Sequence, residues 1–386
     1  MDAAALRAQR IENFRDAVRM KKAPKRVPHI SSYMTWKVVD AGYKFSEALN
    51  DWDLMEKIVY EFQERYQFDL MREWGSRNPL PVLQYFAKTK YIIDDENSYI
   101  SALDFELMKE DEYDDYMNDY RRFLWTKLLP RRFPELKHTS KEAMRKTLAE
   151  YNKFMQYNQR VMKTLKEEYG IPDFAATGFS PSAHDIIMNR LRGIKGTSLD
   201  MRRHPEKIQE MVDRQNKNVT FPALERFKAT KGDTPGYAFD AQSGCLSHTL
   251  LSIPQWEAYY WPGMKAILEA VVEADKTIYI FVQGSMKRFY DYFKDVPKGH
   301  VAIHLEQDDI FEARKRMPNI CLAGGMPMTL LYDGTPQQCV DYAKRLVDEI
   351  GPNGGFILSQ DKMGSFPKDT KRENLLAVCD FIQNYG

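Results

Sequence analysis

Cysteine is scarce in this chain. Its four residues among 386, Cys245, Cys321, Cys339 and Cys379, form no CxxC or CxxxC pair. That excludes a disulfide framework and a zinc finger and points to a reducing compartment. An excess of charge of either sign is also lacking: 56 Lys and Arg face 55 Asp and Glu. Without clustered cations to displace counterions from phosphates, nucleic acid is not an expected partner. Long apolar runs are missing too, and the amino terminus, MDAAALRAQRIENFRDAVRMKK, is charged at helical spacing. Neither a membrane span nor a signal peptide is expected, and the reading is a soluble, cytoplasmic protein. Glycines pair in NGGFIL and LAGGMP but never form GxGxxG, GxxxxGK[ST] or GxSxG. Dinucleotide binding, nucleotide hydrolysis and a serine nucleophile elbow therefore have no support.

Aromatic residues are plentiful: 22 Tyr, 21 Phe and 6 Trp, within 43% apolar residues. A large packed core is affordable and disorder is excluded. Short β-rich runs recur at 26–33, 67–74, 173–181, 234–240, 277–284, 300–308, 319–327 and 354–361, with amphipathic stretches at 45–65, 183–192, 203–230, 255–274, 309–317, 336–350 and 370–384. Thr335 followed by Pro336 marks a helix start, an N-cap with proline where its missing amide hydrogen costs nothing. Eight strands alternating with helices predict an α/β chain, a (β/α)8 TIM-type barrel forming one domain over 1–386. The segment 80–170 breaks the rhythm and reads as a mainly helical insertion between the second and third strands, shaping the mouth or a homodimer surface.

Catalytic groups in such a barrel come from the carboxyl ends of strands. In HVAIHLEQD, Val301, Ile303 and Leu305 share one parity, while His304, Glu306 and Asp308 share the other and face the barrel axis. His304 and Glu306 could thus ligate a metal or act as an acid/base pair, or His304 could be a hydrogen-bonded barrel residue and Glu306 a structural ion-pair partner. Asp361, after the eighth strand, could complete a zinc or other divalent metal site with them, or cap the next segment of chain. Asp240 and Gln242 share a parity on the fourth strand; Asp240 is a catalytic candidate, with turn formation as its structural alternative. Gln242, Gln283, His29 and Tyr33 are candidate substrate contacts on the same geometry, with Ser31 beside them. Tyr33, Trp36, Tyr237 and Phe239 lie near predicted strand ends, where they could line an apolar pocket or simply pack.

The succession FDAQSGCLS, WPGMKAILEAV, IYIFVQG, a His-bearing sixth strand, CLAGGMPMTLLYDGTPQQCVDYAKRLVDEIGPNGGFILS and RENLLAV resembles the carboxyl-terminal half of the uroporphyrinogen decarboxylase superfamily. Its counterparts there are FDSWAGxLS, a QGNLDP-type strand, a GTPEEV helix and GGYIL…PENI. The resemblance spans roughly 173–386 and extends only loosely to the first 170 residues. It implies one of two chemistries. Decarboxylases of an octa-acidic tetrapyrrole carry PVWxMRQAGR, whereas this chain has VPHISSYMTWKVVDAGYKFSEAL, without the arginine pair such a polyanion requires. Methyltransferases working with corrinoid proteins hold zinc by His-x-Cys and a later Cys. Here Glu306 stands in place of the first Cys, and ILSQDKMG lacks the second. A site of His304, Glu306 and Asp361 would be harder and oxygen-rich, suited to activating an ether oxygen.

The leading expectation is therefore methyl transfer from a small, methoxylated substrate to a corrinoid carried by a partner protein, as in an O-demethylase. The alternatives are a decarboxylase or other lyase acting on a small carboxylated substrate, with Asp240 stabilising a protonated intermediate, and a noncatalytic ligand-binding barrel.

Overall fold

The structure, a computed structural model, describes residues 2–385 except 73, 77, 88–90, 97 and 103–105, and the side chains of 98–102. Among the described residues there are ten strands: β1 (Ile30–Ser31), β2 (Leu70–Met71), β3 (Tyr91–Asp94), β4 (Ser98–Ala102), β5 (Asp173–Phe179), β6 (Tyr237–Cys245), β7 (Ile278–Val282), β8 (Val301–Leu305), β9 (Cys321–Met326) and β10 (Phe356–Gln360). β5 to β10 form one sheet in sequence order, every neighbouring pair parallel. β1 pairs with β2 in parallel and joins β10 through a bridge between His29 and Leu358. The eight strands of the expected barrel are thus arranged as a TIM-type barrel, with no ladder between β2 and β5 among the described residues. No helix among the described residues is long and apolar enough to cross a membrane.

The anticipated helix starts at Thr335, whose hydroxyl accepts from the Gln338 amide while the Gln338 side chain returns to the Thr335 amide. This reciprocal cap satisfies two amides that the first turn leaves without helical partners. At the amino end of the barrel, helix Ala3–Arg19 closes the floor. Phe14 packs edge-on against Phe239, and the Ala17 carbonyl accepts from the Gly355 amide at the start of β10. Arg10 and Arg26 both engage the buried Asp69, whose carboxyl burial alone would raise but which these cations hold below its ordinary value. That paired anion stitches the floor to β2.

The segment 80–170 is not purely helical, because β3 and β4 form an antiparallel hairpin within it. Its largest element is helix Lys141–Glu167, capped by the Ser140 hydroxyl on the Ala143 amide. Thr147, Phe154, Tyr157, Val161 and Leu165 are its buried residues, spaced to form one stripe of a helix. This stripe lies against the unladdered side of the barrel: Tyr157 donates to the Trp74 carbonyl at 2.9 Å, and the Trp74 indole donates to Asn158 at 2.9 Å.

Candidate active site

Strand pairing places Gln242 beside Tyr279 and Phe281 beside His304, so these side chains share the inner face of the sheet. Phe174 reaches the same space from β5, with its ring 5.1 Å from that of Tyr279. Arg72 follows β2 immediately, and its guanidinium lies over the Phe281 ring, 4.0 Å from the centroid. Beside it, the gap between β2 and β5 opens into a cavity of about 730 Å³. Arg72, Trp74, Phe174, Tyr237, Gln242 and Met162 are among its walls. The lining also contains Lys166 and Asp173, which pair with each other.

His304 faces the barrel interior, where both its ring nitrogens are engaged. Nε2 lies 2.9 Å from the Gln360 carbonyl, and Nδ1 lies 2.5 Å from the Tyr279 hydroxyl. A carbonyl can only accept, so Nε2 carries the proton and Nδ1 accepts from Tyr279. Burial, helped by the nearby Arg72 charge, pushes the imidazole down to about 3, so it is neutral and its one proton is held by the backbone. Gly324, at φ +101°, makes room for this ring: a Cβ there would stand 3.1 Å from the His304 Cδ2 and 3.0 Å from the Leu305 carbonyl oxygen.

The other groups of the expected metal set are engaged separately. Glu306 accepts from the Gly284 amide at 2.6 Å, and Asp361 accepts from the Met328 amide at 3.1 Å. Burial raises the Asp361 carboxyl above its ordinary value. No group of three His, Cys, Asp or Glu side chains among the described residues is arranged to hold a metal ion. With both imidazole nitrogens used, the donor set of His304, Glu306 and Asp361 does not fit zinc as folded here.

Asp240 is turned out of this site by a bulge. The amides of Asp240 and Ala241 both donate to the Thr277 carbonyl, at 3.2 and 3.0 Å, so two residues oppose one and the alternation slips. Phe239 below the bulge and Gln242 above it face inward, while the Asp240 carboxylate accepts from the amides of Thr234 and Thr277. Asp240 therefore tethers strand ends rather than facing substrate. Tyr33 likewise points into helical packing, against Trp36 and Phe62, with its hydroxyl 2.7 Å from that of Thr370. His29 is buried against Phe68, its backbone amide bound by Asp69. Gln283 is exposed just beyond β7. Tyr237 lines the cavity, whereas Phe239 belongs to the core.

Arg72 and Phe281 are cavity-side groups that patterning of the sequence does not single out. The available signal was Arg72's place directly after a barrel strand, where functional groups gather. A second missed cluster joins β6 to the helix after β5. Ser247 donates to Asp185 at 2.5 Å and lies 2.7 Å from His184 Nδ1, while Tyr260 donates to the other Asp185 oxygen. Because Ser247's hydrogen goes to Asp185, His184 donates from Nδ1. All four side chains are buried, and the cluster braces the wall.

The family model for uroporphyrinogen decarboxylase (URO-D) matches residues 130–385, about two thirds of the chain. A search of the curated proteins found no match. Among solved structures, a methyltransferase from Methanosarcina mazei is similar in fold, with a TM-score of 0.60 at 12% identity over 97% of this chain and 98% of that one. The family match, spanning β5 to the last helix, and the shared barrel agree: this chain belongs to the uroporphyrinogen decarboxylase family.

Proposed function

We propose that this chain is a methyltransferase that presents a small methylated substrate, held beside Arg72 and Gln242, to a corrinoid carried by a separate protein. The observation that supports this reading most is the access to the barrel interior. The cavity reaches Gln242 and Arg72 through a side of the barrel that has no strand ladder among the described residues. The fold shared with a methyltransferase agrees with it, as does the absence of an arginine pair suited to a tetrapyrrole polyacid.

The corrinoid would supply the nucleophile. As the bond from the methyl carbon to oxygen breaks, its electron pair stays on oxygen, which must gain a proton or hydrogen bonds. His304 is neutral with its proton committed, so the polar groups bordering the cavity that would lie nearest that oxygen are the Gln242 amide and the Arg72 guanidinium. His304 is a positioning residue in this reading: it ties Tyr279 on β7 to the end of β10 and keeps the inner wall in place.

A direct test mixes the purified chain with a reduced corrinoid protein and methoxylated small molecules while following the absorbance of the reduced corrinoid. The expected result is substrate-dependent loss of that absorbance with release of the demethylated product. Carbon dioxide release without corrinoid would replace the reading with the lyase alternative. Binding without turnover, with a corrinoid protein active towards another methyltransferase, would replace it with the noncatalytic one.

A further inference from the structure

We infer that the cavity between β2 and β5 takes a flat aromatic ring with oxygen substituents at opposite ends, one bound by the Tyr237 hydroxyl and the other by the Gln242 amide. This rests on reading the cavity as the substrate site, but not on the reaction carried out there. The bulge in β6 brings the two groups to one place. Tyr237 and Gln242 are five residues apart, so regular alternation would send them to opposite faces of the sheet. The extra residue at Asp240 and Ala241 resets the parity, and both side chains line the cavity. With the bulge absorbing one step, their Cα atoms stand roughly 13 Å apart along the strand, a span that suits one ring with a substituent at each end. Neither contact calls on Arg72.

Both groups are open to a ligand. The half-buried Tyr237 has no hydrogen-bond partner for its hydroxyl among the described residues. Other tyrosines around it are engaged within the fold: Tyr279 with His304, Tyr157 with the Trp74 carbonyl and Tyr260 with Asp185. Gln242 is exposed, and Gly178 opposite it on β5 has no side chain to cover it. A hydroxyl and an amide both donate, so each can hold a phenol or an ether oxygen. Two of the aromatic walls are held rigid. The Trp74 indole donates to Asn158, and the Phe174 ring packs against Phe239 and Tyr279, with centroids 5.3 and 5.1 Å away. Fixed flat faces favour an aromatic ring over a puckered one, and the Met71 and Met162 thioethers on the same wall contact such a ring favourably. Gln242 lies nearer the carboxyl end of the strand, where barrels open, so a methoxy oxygen belongs there and a free hydroxyl belongs at Tyr237.

The test is calorimetric titration of the full chain, without corrinoid, with 4-methoxyphenol, 4-methylanisole and 4-methoxycyclohexanol. The methoxyphenol should bind, and its saturated counterpart should bind about threefold more weakly or worse. Tyr237→Phe keeps the ring and removes only a hydroxyl without an internal partner, so the variant should fold normally. In it the affinity ratio of 4-methoxyphenol to 4-methylanisole should fall about fivefold, with 4-methylanisole itself unaffected. Failure of 4-methoxyphenol to bind, equal affinity for the cyclohexanol, or a ratio that Tyr237→Phe leaves unchanged overturns the inference. Binding with these preferences but without methyl transfer to a reduced corrinoid protein sustains the inference and counts against the proposed reaction alone; methyl transfer from 4-methoxycyclohexanol with no preference for the aromatic ring does the reverse.

Discussion

The two sides of the barrel are built differently. β7, β8 and β10 are buried along their whole length, while β5 has no fully buried residue and its outer edge has no ladder among the described residues. On the closed side, titratable groups are used up: His304 binds Tyr279 and Gln360, and Glu306 and Asp361 accept backbone amides. On the open side, Arg72 and Gln242 border the cavity. The polar residue most conspicuous in the sequence, His304, thus has both ring nitrogens engaged within the wall, while the cavity opens where the sequence is quieter. Saturated hydrogen bonding and low dielectric fix a group's proton; a solvent-connected cavity lets the groups on its wall meet a ligand.

Substitutions can break this contrast, and the largest effect is expected on the closed wall. Gly324→Val should cost about 3 kcal/mol or more in urea unfolding, because it forces a branched side chain into a left-handed backbone against a carbonyl and the His304 ring. A loss below about 0.5 kcal/mol would show that the wall yields easily.

Next is His304→Gln, expected to cost about 2 kcal/mol near neutral pH by leaving one or both partners without a hydrogen bond. The imidazole is at about 3 in the folded chain against an ordinary 6.5, so protons bind the unfolded state first. Its contribution is complete above the ordinary value and falls away as pH drops towards the folded one, by up to about 1.4 kcal/mol per pH unit. The stability gap between the native chain and the variant should therefore narrow as pH falls from 6.5. A gap that stays constant across that window would contradict the burial and hydrogen bonding assigned to His304.

Asp240→Asn should be milder, about 1 kcal/mol: the amide oxygen can keep the Thr234 amide, and the nitrogen that replaces the other oxygen loses the Thr277 amide but can donate to the Thr277 hydroxyl. Ligand affinity should be unchanged, and a marked loss of turnover without loss of stability would return Asp240 to the site. On the open side the pattern inverts. Gln242→Ala should leave stability within about 0.5 kcal/mol while lowering kcat/KM by about tenfold, measured in the corrinoid assay.

Much of the architecture is legible in the sequence. The eight barrel strands fall within or beside the β-rich runs, and Thr335-Pro336 caps the expected helix, because alternation and capping are local physics. Parity correctly places His304 on the inner face. It fails at Asp240, since a bulge is set by the neighbouring strand and leaves no signature in FDAQSG. The hairpin of β3 and β4 is hidden by the charged, helix-favouring residues around it. The engagement of both His304 nitrogens depends on Tyr279 and Gln360, brought from 25 and 56 residues away, and no spacing rule reports such a meeting. Arg72 escapes notice for a related reason: it borders a cavity that lies where β2 and β5 have no ladder among the described residues.

The most direct test of the central claim, that ligand chemistry belongs to the open seam and not to the His304 wall, is a crystal structure of the full chain with 4-methoxyphenol and added zinc. The account predicts the ligand in the cavity beside Gln242 and Phe174, and His304 still bound to Tyr279 and the Gln360 carbonyl. Zinc held by His304, Glu306 and Asp361, with the cavity beside Arg72 empty of ligand, would contradict it.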